Sequence, residues 1–80
     1  MGARLFSRFP RLSLYDNALR TLPREIGQLV KLELINVSFN QLEEVPSEIG
    51  QLTNLEGLIL RNNRLSRLPP TLVNCTKLES

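Results

Sequence analysis

The sequence predicts an α/β solenoid: short coils stacked side by side, with a parallel sheet on one side and helical or 3₁₀ turns on the other. Three observations predict it. Asn17, Asn40 and Asn63 recur at a spacing of 23 residues, as do Pro23, Pro46 and Pro69. Apolar residues alternate at Leu12/Leu14, Ile35/Val37 and Leu58/Leu60, the period-two signature of a short strand. Leu alone fills 17 of 80 positions. A fixed period of this length marks stacked units, each able to bury its apolar face only against the next.

The chain divides into units 9–31, 32–54 and 55–77, with a stub at 78–80. Residues 1–8 read as the end of a partial unit, Ala3 standing in the row of Ile26 and Phe6 in the row of Leu29. Each full unit opens apolar-x-x-apolar-x-apolar-x-x-Asn-x-Leu. These residues are Phe9, Leu12, Leu14, Asn17 and Leu19, then Leu32, Ile35, Val37, Asn40 and Leu42, then Leu55, Leu58, Leu60, Asn63 and Leu65. The pattern resembles the leucine-rich repeat. The second halves, Leu22-Pro23 to Leu29 and Val45-Pro46 to Leu52, are similar to the 23-residue intracellular subtype of Ras-group and Scribble-type scaffold proteins. That resemblance implies a right-handed solenoid with a curved parallel sheet, binding partners on its concave face.

Each element has a physical reason beside the resemblance. The alternating residues predict strands near 12–14, 35–37 and 58–60. The bend after each strand needs a buried polar side chain, and an Asn supplies both an acceptor and donors. Asn17, Asn40 and Asn63 are therefore expected to form a structural ladder. Pro at the first position of a helical turn lacks only an N–H that has no partner there, and it holds Leu22, Val45 and Leu68 extended. Segments 24–29, 47–52 and 70–75 are too short for independent helices. They read as single turns held by Ile26, Leu29, Ile49 and Leu52 facing inward. Gly27 and Gly50 suit a tight turn or a close approach between coils. Val73 breaks that row, and Cys75 stands in a Leu row as a small buried hydrophobe. Neither end carries a polar cap, so both expose apolar spine. The expectation is a repeat fragment, a short product, or a chain lying against another through its open ends. Alone it should be marginally stable.

Composition excludes several function classes. No apolar run exceeds three residues, so no segment reads as membrane-inserted. A net charge of +2 with dispersed basic residues argues against nucleic acid. Arg61, Arg64 and Arg67 lack interleaved aromatics. Arg4, Arg8 and Arg11 sit in an acid-free amino-terminal stretch that weakly resembles a transit peptide, but Pro10 interrupts it and its apolar residues already have places in the repeat. One Cys allows no internal disulfide and fits a reducing, cytoplasmic setting. With no His, no glycine-rich phosphate loop and no ligand spacing, the sequence suggests no catalytic residue, cofactor or metal. Glu43-Glu44 read as a solvated loop. The sequons at Asn36 and Asn74 read as coincidental.

Candidate binding residues are the strand positions that face away from the spine. Their rows are Arg11, Leu34, Gly57; Ser13, Asn36, Ile59; and Tyr15, Ser38, Arg61. Asp16, Phe39 and Asn62 flank them. Tyr15, Leu34, Asn36, Ile59 and Arg61 are the expected partner contacts, since aromatic, apolar and Arg side chains are typical of interfaces. Phe39 is set aside, because its row often packs under the neighbouring coil in resembling proteins. Three short strands offer only a couple of hundred Å², against ~800 Å² per partner in a stable interface. Loops, further repeats or the open ends must add to them. The expected function is a non-catalytic protein-interaction module of a cytoplasmic signalling scaffold. The alternatives are a targeting or regulatory segment of an enzyme complex, or a truncated repeat fragment without autonomous function.

Overall fold

The structure is a computed structural model that describes residues 10–79. Readings that fall on residues 1–9, including Arg4, Arg8 and the partial unit, lie outside the described residues. Strands β1 (Arg11–Ser13), β2 (Leu34–Asn36) and β3 (Gly57–Ile59) form one parallel sheet in chain order. Arg11 pairs with Leu34 and Leu34 with Gly57; Ser13 pairs with Asn36 and Asn36 with Ile59. The strands begin and end one residue earlier than the alternation predicts. The ladder nevertheless runs on through the expected positions. The N–H of Leu14 donates to Asn36 O at 2.9 Å and that of Val37 to Ile59 O at 3.0 Å.

Between strands, the chain returns through 3₁₀ helices at Arg24–Gln28, Ser47–Gln51 and Pro70–Asn74. The prolines sit one place earlier than expected. Pro23, Pro46 and Pro69 are the extended residues just before the first helical one, with φ between −70° and −65°. Each carbonyl accepts the first turn bond, from the N–H of Ile26, Ile49 or Leu72 at 3.0–3.1 Å. A proline here fixes the extended entry and loses no bond.

Ile35, Val37, Leu42, Ile49, Leu52 and Leu55 are fully buried and make the centre of the core. All belong to the second unit or the first residue of the third, because only that coil has described neighbours on both sides. Leu29 departs from its inward assignment and is 48 % exposed, whereas Leu52 in the same row is 0 % exposed. Leu52 lies between described coils on both sides, whereas Leu29 lies on the first described coil.

The glycines are required by close approach. A Cβ on Gly27 would stand 2.7 Å from Glu48 O, and one on Gly50 would stand 2.6 Å from Thr71 O. Neither has a positive φ. Neighbouring 3₁₀ turns therefore touch backbone to backbone, and only hydrogen fits between them. Val73 occupies the same row on the last described coil and is 78 % exposed.

Candidate interaction surface

The asparagines connect the coils. Asn40 Oδ1 accepts from the N–H groups of Asn17 and Leu19 in the preceding coil, both at 3.1 Å. Its Nδ2 donates to Leu14 O and Val37 O at 2.9 Å. Asn63 repeats this one coil on, accepting from Leu42 N–H and donating to Val37 O and Leu60 O. Asn17 is exposed, and among the described residues its amide donates within its own coil, to Leu14 O at 3.0 Å and Tyr15 O at 3.4 Å. The bends that end β2 and β3 are thereby tied to the coil before them, which fixes where the outward side chains of successive strands stand.

On the outward face, Leu34 is half-buried because it leans across the next strand. Its Cδ1 lies 2.6 Å from where a Cβ on Gly57 would be. Asn36 is also half-buried, and its Oδ1 accepts from Ser38 Oγ at 2.6 Å and from Ser38 N–H at 3.1 Å. Ser38 itself is buried, so the row Tyr15, Ser38, Arg61 exposes only its two ends. Ile59 is half-buried, and Tyr15 and Arg61 are exposed. Leu34 and Asn36 thus lie on the middle strand and Ile59 on the edge strand β3, with Tyr15 and Arg61 two strands apart at the end of the sheet.

Phe39 was missed as a surface residue. It does not pack under the neighbouring coil: it is 43 % exposed, and its ring meets that of Tyr15 edge to face, with centroids 5.4 Å apart. Its backbone is left-handed, with φ 59°, as are those of Asp16 and Asn62 in the same row. Asp and Asn accept that conformation readily, whereas a bulky Phe does not. An aromatic among Asp and Asn was the available signal in the sequence.

Cys75 is buried, and its Sγ–H donates to Ile49 O at 3.4 Å. Burial pushes its pKa above the ordinary thiol value, keeping it a neutral core residue rather than a nucleophile. Among the described residues, no cluster of three His, Cys, Asp or Glu side chains could hold a metal. No helix among them is long and apolar enough to cross a membrane.

Comparison with known proteins agrees with this architecture. The leucine-rich repeat family model matches residues 31–52 and 54–75, more than half of the chain, and the chain belongs to that family. Among solved structures it is similar to a leucine-rich repeat protein of Leptospira interrogans, with 43 % identity and a TM-score of 0.77. The match covers 79 % of this chain but 16 % of that one, so the present chain spans about a sixth of its length. Comparison with curated proteins gives no match. Leucine-rich repeats generally mediate protein–protein interaction, and the fold is typically non-catalytic.

Proposed function

We propose that this chain is a protein-interaction module of an intracellular signalling scaffold, docking its partner on the outward face of the sheet. The carrying observation is the composition of that face. Leu34 and Ile59 lie on it without entering the core, and Tyr15 and Arg61 stand exposed at one end. Apolar centres edged by aromatic and Arg side chains are what interfaces concentrate. The cytoplasmic assignment rests on the lone buried thiol and on the resemblance to the 23-residue intracellular subtype. The scaffold and signalling roles rest on that resemblance alone.

The test is affinity capture with the 80-residue chain as bait, comparing wild type with Ile59→Glu and Arg61→Glu. Circular dichroism establishes that each variant is folded. Loss of the same captured proteins in both variants is the expected result. Retention by both folded variants would move the binding surface elsewhere.

A further inference from the structure

The rim of the outward face beside β1 and β2 adds Asp16 and Phe39 to the Tyr15 and Arg61 of the proposed face. Tyr15 and Phe39 form an edge-to-face pair, with rings at 68° to one another, and remain 53 % and 43 % exposed. In such a pair, the ring that offers its edge keeps both of its faces clear of its partner. Asp16 follows Tyr15 directly and is exposed. Its N–H donates to Ser38 O at 3.0 Å, which holds this rim in register with β2. Its carboxylate has no hydrogen-bond or ion-pair partner among the described residues. Phe39 also keeps a left-handed backbone that costs a Phe more than it costs the Asp and Asn of the same row. The core does not repay that strain, since the ring lies on the surface.

Across the row the charge reverses. Arg61 is exposed, and its guanidinium has no partner among the described residues. The N–H of Phe39 donates to Arg61 O at 3.0 Å, so the Arg61 side chain projects two strands from that of Tyr15. Two strand spacings are about 10 Å. Ser38 between them is buried.

We propose that Tyr15, Asp16 and Phe39 form a seat for a cationic side chain of the partner, with Arg61 taking an acidic one about 10 Å away. This rests on the reading of the sheet face as a protein-docking surface and adds the chemistry of the occupant. The rim offers a cation an exposed aromatic pair, with the unpaired carboxylate of Asp16 on the residue next to Tyr15, a combination that favours guanidinium or ammonium over a neutral group. The matching occupant is an extended segment lying across the strands with opposite charges on one side. A polyproline II segment repeats every three residues with a rise of about 3.1 Å, so residues i and i+3 share a side about 9 Å apart.

The probes are four blocked tetrapeptides of the form X-Pro-Pro-Z, titrated into isotope-labelled protein and followed by backbone NMR. X and Z are Arg and Glu, Arg and Arg, Glu and Glu, or Ala and Ala. The expected result is a saturable shift of the Tyr15, Asp16, Phe39 and Arg61 amides, strongest for the Arg/Glu peptide by about threefold or more. Asp16→Asn and Phe39→Asn should each weaken the Arg/Glu peptide toward the Glu/Glu level, and Arg61→Gln toward the Arg/Arg level. Glu25→Gln, on the opposite side of the coil, should change nothing. Equal response to all four peptides, or no saturable response up to about 10 mM, overturns the proposal. So does full binding by Asp16→Asn. In the capture experiment, dependence on Ile59 without dependence on Asp16 and Phe39 would leave the docking face standing and remove this seat alone.

Discussion

The second unit and the units flanking it carry nearly the same letters in very different surroundings. Ile35, Leu42 and Ile49 are fully buried, whereas Leu12, Leu19, Leu58, Leu65 and Leu72 at equivalent positions are only partly so, Ile26 alone of that set being buried, at 4 % exposure. The motif is therefore not what stabilises a coil. Its neighbours are, since each unit buries its face only against the next. The comparison predicts that equal substitutions will have unequal effects. Ile49→Ala removes a side chain packed on all sides and should cost about 4 kcal/mol, while Leu72→Ala should cost about half as much. Urea unfolding of both variants measures the difference. Equal losses would mean that the outer coils are covered as well as the central one.

The asparagine row sharpens the same contrast. Asn40→Leu leaves the N–H groups of Asn17 and Leu19 unpaired, while the carbonyls of Leu14 and Val37 lose one donor and keep the amides of Asn17 and Asn63. Unpaired buried groups cost about 1–3 kcal/mol each, with partial relief from water. A loss of about 3 kcal/mol is expected. Asn17→Leu breaks bonds only within an exposed bend and should cost under about 1 kcal/mol. Hydrogen exchange adds a local reading: the Leu19 amide should lose protection in Asn40→Leu and keep it in Asn17→Leu.

Gly50 and Val73 give the third comparison. Gly50→Ala drives a methyl into Thr71 O, a backbone atom that cannot swing aside, at a cost of about 2 kcal/mol. Val73→Ala alters an exposed position with no described coil beyond it and should stay within about 0.5 kcal/mol. Thermal unfolding of the pair tests whether the 3₁₀ turns pack as closely as their backbones indicate. A harmless Gly50→Ala would require the last coil to shift freely.

The periodic part of this molecule was legible in the sequence because it obeys one rule per row. Asn40 and Gly50 show its reach: a residue type repeated at 23-residue spacing implies a repeated backbone need, and the structure shows amide ladders and close turns there. Positions within a row were less legible. Leu29 reads as equivalent to Leu52, yet nothing within its own unit tells how many neighbours it has. The strand ends and the placement of Pro23 shifted by one residue, because alternation constrains side-chain direction and not where ladder bonding begins. The rim escaped most completely. Phe39 and Tyr15 belong to different rows, and their contact arises only when coils are stacked with a left-handed residue after each strand. Ser38 looked outward by alternation but is buried beneath its surroundings, its hydroxyl held by Asn36.

The smallest effect belongs to a contact that looks specific. Arg20 Nη2 lies 3.2 Å from Glu43 Oε2, linking the first and second units at positions 23 residues apart. The side chains are 72 % and 56 % exposed, so water and salt screen the attraction while both long chains lose freedom to hold it. Arg20→Ala should shift stability by less than about 0.5 kcal/mol, and added salt should erase even that difference. A double-mutant cycle with Glu43→Ala isolates the coupling. Coupling well above that level would mean that exposed side chains help set the stacking of coils. Coupling near zero would assign the stacking to the buried apolar rows and the Asn40 amide.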